Sequence, residues 1–377
     1  MKTKHFVLAT LACLQVPVVA ELEINPFVHF RAAVGATSDN HGEMGYAGHD
    51  PKVDGGNWQG LELGLGLSYG EHLEAIGVYN VFWEDGEGIQ GELEEAYATL
   101  KELPGGFEVR GGRMFTRFGT QNSVHLHGWD FVNANLANTR FLGDDGFSID
   151  GGDITWYTPT RFEDSLTISY GRTVTHDHDH GGHDDHDDHD DHDDHDDHDD
   201  HDDHDEIEWD GQSFSARYQA QFYNTDFHQF LVGASYLRGD LAEDGQTSIY
   251  GGDFTYSWRA NGLESGGKQF RWRNEVMWRD VDSHDGQFTE FGMNTAALYQ
   301  FNDNMEVGLR YEYLQGVEEY DFDQRHRVSP VFTIRQGESS SDGGMGFMAR
   351  IQYDYDNSSE HGDIHAAWLQ FGFDWGK

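Results

Sequence analysis

From residue 26 onward, apolar and polar side chains alternate in runs of about 8 to 13 residues, separated by clusters of turn-forming residues. Leu61, Leu63, Leu65, Leu67 and Tyr69 alternate with Glu62, Gly64, Gly66 and Ser68. Phe214, Ala216, Tyr218, Ala220 and Phe222 alternate with Ser215, Arg217, Gln219 and Gln221. Val307, Leu309, Tyr311 and Tyr313 alternate with Glu306, Gly308, Arg310 and Glu312. Met345, Phe347, Ala349, Ile351, Tyr353 and Tyr355 alternate with Gly346, Arg350, Gln352 and Asp354, and only Met348 breaks the polar side. The last run carries Leu369, Phe371, Phe373 and Trp375 on one side. A period of two puts successive side chains on opposite faces of a strand. One face is apolar with aromatics toward the strand ends, and the other is Gly, Ser, Gln and charge. That is the pattern of a barrel with a lipid-facing band and a wet lumen. A soluble secreted β-protein would show the same alternation.

Sixteen strands are predicted: 26–36, 59–69, 72–83, 92–100, 107–113, 151–158, 165–175, 212–223, 227–237, 247–258, 268–281, 287–300, 305–315, 326–335, 344–355 and 364–375. The connections provide an independent check. Barrels of this kind have short periplasmic turns, longer extracellular loops and both termini in the periplasm. The three longest connections, 37–58, 114–150 and 176–211, are all odd-numbered and therefore fall on the extracellular side. The expected fold is all-β: a transmembrane antiparallel up-and-down barrel of about sixteen strands, spanning 21–377, with a long third loop and a disordered fourth loop rich in His and Asp.

Composition narrows the class. Residues 1–20 read as a secretion signal, with Lys2 and Lys4 before an apolar core and Val18-Val19-Ala20 as the exit. Cys13, the single cysteine, lies inside it, so the chain from Glu21 has no thiol for a disulfide or a thiolate metal site. Beyond residue 20 no apolar run approaches the ~18 residues of a membrane helix. The mean hydropathy of −0.71 would suit a disordered chain, but 14% aromatics and 47 glycines against 6 prolines do not. In a barrel only alternate residues face lipid, and averaging hides the apolar band. The net charge of −45 includes 17 aspartates between His176 and Asp205, leaving −28 elsewhere. Such a chain repels nucleic acid and attracts cations.

Residues 176–205 hold eleven histidines: His176, His178, His180, His183, His186, His189, His192, His195, His198, His201 and His204. The segment has no apolar residue to bury and its aspartates repel one another, so it reads as an extracellular loop without a packed structure. Neutral imidazoles and carboxylates ligate zinc, copper and nickel. A histidine every third residue gives many exchangeable sites rather than one closed site. Nothing points to a tightly bound cofactor; zinc or another divalent transition metal is expected as a transient ligand. A solvated acidic spacer is the other reading, though a spacer has no need of regularly placed histidines.

The third loop, 114–150, is too long for an ordinary connection and is expected to fold into the pore. Arg117, His125, His127, Asp130, Arg140, Asp144 and Asp145 are its candidate constriction residues. His125 and His127 fall on one side of an extended chain with Asp130 close behind, a candidate metal relay point or a set of hydrogen-bonded anchors. Arg140 beside Asp144 and Asp145 would give a mixed-charge constriction. On the lumen face, Arg31, Arg110, Arg217, Arg273, Arg310, Arg327 and Arg350 fall among Glu62, Glu94, Glu275, Glu306 and Glu312. They either set a pore field or stiffen the wall through ion pairs.

No nucleophile elbow, Walker A sequence, HExxH helix or paired-cysteine module occurs in the chain, and no enzyme activity is expected. With the first strand starting near residue 26, little chain is left for a plug domain. The sixteen strands, the long third loop and the aromatic ending "WLQFGFDWGK" resemble the general porins of Gram-negative outer membranes. That ending departs from their assembly signal because Gly376 and Lys377 follow Trp375. The block from Glu95 to Pro159, with "EAYATL", "GGRMFTRFG", "HLHGWDFVNANLANTRFLGDDG" and "ITWYTP", resembles a narrower family of zinc-associated porins with a His-rich extracellular loop. These resemblances imply a passive outer-membrane channel, with outer-membrane lipid and divalent metal as partners and a homotrimer by analogy. A surface barrel that sequesters metal without significant conductance remains open, as does a channel for small anionic or sugar solutes with an incidental His tract.

Overall fold

The computed structural model describes residues 21–376 apart from 39, 42–46, 52–54, 85–87, 175–208, 243–244, 265, 285, 321 and 338–343. The expected signal segment 1–20 and the histidines of 176–205 lie outside the described residues. Sixteen strands follow in order. They are β1 (Leu22–Thr37), β2 (Gly55–Tyr69), β3 (Leu73–Glu84), β4 (Gly88–Leu103), β5 (Phe107–Phe115), β6 (Ser148–Tyr157), β7 (Ser165–Thr173) and β8 (Trp209–Phe222). Then come β9 (His228–Leu241), β10 (Gln246–Arg259), β11 (Gln269–Ser283), β12 (Gly286–Asn302), β13 (Met305–Leu314), β14 (Arg325–Gln336), β15 (Met345–Ser358) and β16 (Gly362–Gly376). Each strand pairs antiparallel with its sequence neighbours, and β1 pairs with β16, so the sheet closes into a barrel without an edge. The sixteen-strand reading and its loop parity hold.

Alternation decides which side chains meet lipid. Leu309, Ile351, Phe347 and Phe371 stand exposed on the outer surface, while their neighbours Arg310, Arg350, Gln352 and Gln370 are buried inside. Tyr69, Tyr157, Phe222 and Phe301 are exposed near the ends of β2, β6, β8 and β12, at the rim that also carries both termini. They form part of an interfacial aromatic girdle. A closed sheet satisfies its backbone internally, which is what allows strands to cross a bilayer.

The inner face is less uniformly polar than alternation suggested. Leu237, Ile249, Met277 and Val281 point inward from β9, β10 and β11 and are buried. They pack against Phe118, Leu136, Phe141, Leu142 and Phe147, all from the β5–β6 connection. Residues 116–147 therefore lie inside the barrel, held by an apolar core at one side of the lumen. Each such side chain buried contributes roughly 1.5–3 kcal/mol toward docking the segment. The segment contains one short helix, α1 (Leu136–Leu142), capped by the Asn135 side chain accepting from Asn138 N and closed by Gly143 at φ 99°. Gly292 on β12 lets α1 approach, because a Cβ there would lie 2.7 Å from Ala137 Cβ.

Candidate functional site: two unlike walls around the inner loop

The first wall runs across β16 and β1–β4. Asp374, His29, Glu62, Asn80 and Glu92 are successive register partners, which places them in one row on the inner face. A β-bulge then interrupts β4: Leu93 pairs with Tyr79 and Glu95 with Val78, leaving Glu94 as the extra residue. A bulge lets two consecutive residues share one side of a sheet. Glu94 and Glu95 are accordingly both buried on the inner side, whereas Leu93 is exposed outside.

The inner loop brings imidazoles to these carboxylates. His125 Nδ1 lies 2.9 Å from Glu94 Oε2 and its Nε2 2.9 Å from Glu95 Oε2. His127 Nδ1 lies 2.5 Å from Glu62 Oε2 and stacks on His29 with centroids 3.8 Å apart. His29 Nδ1 in turn meets Asp374 Oδ1 at 2.8 Å. From the first loop, His49 Nε2 faces Asp145 Oδ1 at 3.4 Å, Glu92 Oε1 at 3.5 Å and Glu94 Oε1 at 3.6 Å. Leu126, between the two loop histidines, is seated at Gly60, where a Cβ would lie 2.8 Å from its Cδ2.

Burial opposes a charged His125 ring, but hydrogen bonds to Glu94 and Glu95 outweigh it and hold its pKa well above the ordinary 6.5. Burial likewise opposes charge on His49, and Asp145, Glu92 and Glu94 together carry its pKa well above 6.5. Asp50, the next residue, is pushed up to about 6 by burial, against the pull of Arg327, the hydrogen bond from Ala134 and Arg310.

The second wall is made of arginines from β13–β15, with Arg279 on β11. They grip the backbone of the loop, and Arg310 also donates to the Asn133 side chain. Arg350 donates to the carbonyls of Phe131 at 3.0 Å and Trp129 at 2.8 Å. Arg310 donates to Asn133 O at 3.0 Å and Arg327 to Ala134 O at 2.6 Å. Arg279 donates to Arg140 O at 2.7 Å, and Arg31 on β1 donates to His127 O at 2.8 Å. Carboxylates complete this wall: Glu312 is within 3.0 Å of Arg310 and 2.6 Å of Arg327.

The constriction candidates thus separate. Arg117 bonds Glu108 and Thr155 on the β5–β6 wall. His125, His127 and Asp145 join the carboxylate wall. Asp130 turns away from the histidines and bonds Arg271 at 3.0 Å and Arg273. Arg140 donates to Asp323 O at 2.9 Å and sits 3.8 Å from Glu290. Asp144 lines a cavity of about 60 Å³ beside Asp130 and Arg273. Asp145 faces His49 from the loop, 3.4 Å from its Nε2. Among the lumen arginines, Arg110 and Arg217 pair with Asp153 and Asp253 in the wall itself. His29, His49, Glu92, Glu95 and Asp374 were not anticipated. A parity slip was the available signal: the outward apolar positions pass from Ile89 and Leu93 to Ala98 and Leu100 within one strand.

Comparisons with known proteins support the fold. No family model matches the chain. An uncharacterized protein of Aquifex aeolicus (strain VF5) is 41% identical over 81 residues, 22% of this chain, which spans only 16% of that relative's length. Among solved structures, an anion-selective porin from Comamonas acidovorans aligns with TM-score 0.57 and 14% identity over 95% of this chain and 100% of that one. The outer membrane channel DcaP of Acinetobacter baumannii gives 0.56 and 11% over 97% and 100%. Pseudomonas putida OprB gives 0.56 and 9% over 94% of each. The chain has the barrel fold of outer-membrane porins, and a closed barrel with an apolar outer band belongs in the Gram-negative outer membrane.

Proposed function

We propose that this chain is a passive outer-membrane channel for small solutes, narrowed by residues 116–147, whose tract 176–205 gathers divalent metal, zinc foremost, at the outer mouth. The observation carrying the channel reading is a charged lumen crossed by a loop that is bonded to both sides, an arrangement suited to sorting ions by field. The metal reading is supported by the eleven histidines of the tract and by its position in the chain between β7 and β8. A tethered field of weak ligands raises local metal concentration, and an acidic mouth favours cations. The net charge of −45 argues for cation preference here, unlike the anion selectivity named for the Comamonas porin. A Vibrio cholerae OmpT structure is of a trimer form, and a homotrimer is proposed for this chain by analogy.

Deleting 176–205 is expected to leave a folded, conducting barrel but to slow growth under zinc limitation. Equal growth of deletion and wild-type strains would overturn the metal-gathering role. The second reading, a barrel that sequesters metal without conducting, is favoured by one feature: Phe118, Phe141 and Phe147 fill part of the lumen with apolar bulk. Discrete current steps in planar bilayers would reject it.

A further inference from the structure

Glu62, Glu94 and His125 each turn one donor atom toward a common point, with all three atoms within 4.8 Å of one another. His125 Nδ1 is 2.9 Å from Glu94 Oε2 and 4.0 Å from Glu62 Oε1. That Glu62 oxygen is buried and has no hydrogen-bond partner among the described residues, although its residue is only 1% exposed. A buried carboxylate oxygen without a donor is costly, and a cation is what such an atom lacks. Nor is the group only a collection of acids. An imidazole is among the donors, and its second nitrogen is held by Glu95 at 2.9 Å. Ligating histidines characteristically give their other N–H to a carboxylate, which fixes the tautomer and ring orientation. Glu62 is itself fixed through its other oxygen by His127.

From this geometry we infer a divalent transition-metal site inside the lumen, formed by Glu62 Oε1, Glu94 Oε2 and His125 Nδ1 and oriented by Glu95. It is separate from the tract 176–205. Tetrahedral zinc with bonds of ~2.0–2.2 Å needs donors ~3.3 Å apart, so Glu62 Oε1, now 4.0 Å from His125 Nδ1, has to draw in toward the ring. On binding, the metal takes the place of the proton at Nδ1, which leaves to solvent, while Nε2–H remains on Glu95. Imidazole together with carboxylates selects zinc or a neighbouring transition metal over calcium or magnesium, which prefer all-oxygen shells. The other oxygen of Glu94 lies 3.6 Å from His49 Nε2, which also faces Glu92 and Asp145. Glu94 therefore joins the site to an adjoining His–carboxylate group, a second stop for an ion moving along this wall.

The direct test is anomalous diffraction at the zinc edge from crystals of the full-length barrel, soaked in enough zinc chloride to saturate the tract histidines as well. A peak within bonding distance of the three donors is expected. It should vanish in His125→Gln and lose about tenfold or more in apparent affinity in Glu95→Ala, as outer partners of ligating histidines do. A lumen without a peak in the wild-type crystals would overturn the site, as would a peak that persists unchanged in His125→Gln. The wild-type result depends on no variant folding. It is also independent of conductance, so failure of the channel reading and failure of this site give different outcomes.

Discussion

The two walls that hold residues 116–147 do the same mechanical work with opposite chemistry. On the arginine side, permanently charged guanidinium groups donate to loop carbonyls: Arg350 to Trp129 and Phe131, Arg310 to Asn133, Arg327 to Ala134. These bonds are indifferent to pH and metal over any ordinary range. On the other side, carboxylates of β2 and β4 hold imidazoles of the loop, His125 and His127. Protons and divalent cations compete for those same atoms. One wall is therefore a fixed hinge line, and the other is the side at which the loop can respond to what enters the lumen.

The largest effect is expected where a fixed contact is removed. Arg327→Met leaves Glu312 with Arg310 as its remaining arginine and strips Ala134 O of a donor. The cost is expected to be about 3–5 kcal/mol, as for other broken buried ion pairs, read from urea unfolding in detergent. An unchanged unfolding midpoint would show that this wall does not anchor the loop.

A smaller effect is expected from Gly60→Val, which pushes on Leu126 and Asn80. It should displace the His125–His127 turn and raise or destabilise the conductance by a few-fold, while costing about 1–3 kcal/mol as overpacking. Full wild-type current would mean that the turn does not define the passage.

The pH response separates the walls next. His125 has a raised pKa, so its ion pairs with Glu94 and Glu95 contribute fully below about 6.5 and are lost as pH rises through the raised value. Metal-free channels are expected to become noisier and more open in alkali, and His125→Gln should abolish that step. An alkaline transition retained in the variant would assign it elsewhere. The smallest effect is expected from salt. Raising ionic strength from ~0.1 to ~1 M should weaken charge selectivity but scarcely alter loop docking, because the anchoring pairs are buried.

The strands were legible because lipid imposes a strict period of two, and all sixteen were found within a few residues. The third loop was legible by its length alone. Its seat was not, for three physical reasons. The extra residue at Glu94 changes which side chains face inward, and a reading that assumes unbroken alternation assigns only one of Glu94 and Glu95 to the lumen. Asp130 was grouped with His125 and His127 by closeness in sequence, but the chain turns between them and Arg271 and Arg273 claim it. His49 reaches the site from a different loop, and no local pattern connects it to Glu94.

Single-channel recording of the full-length protein, with zinc added and then chelated, tests the central claim most directly. Discrete cation-preferring steps, reversibly reduced by zinc, are expected if the carboxylate–imidazole wall lines a conducting path. The absence of steps, or an anion preference unaffected by zinc, would contradict it.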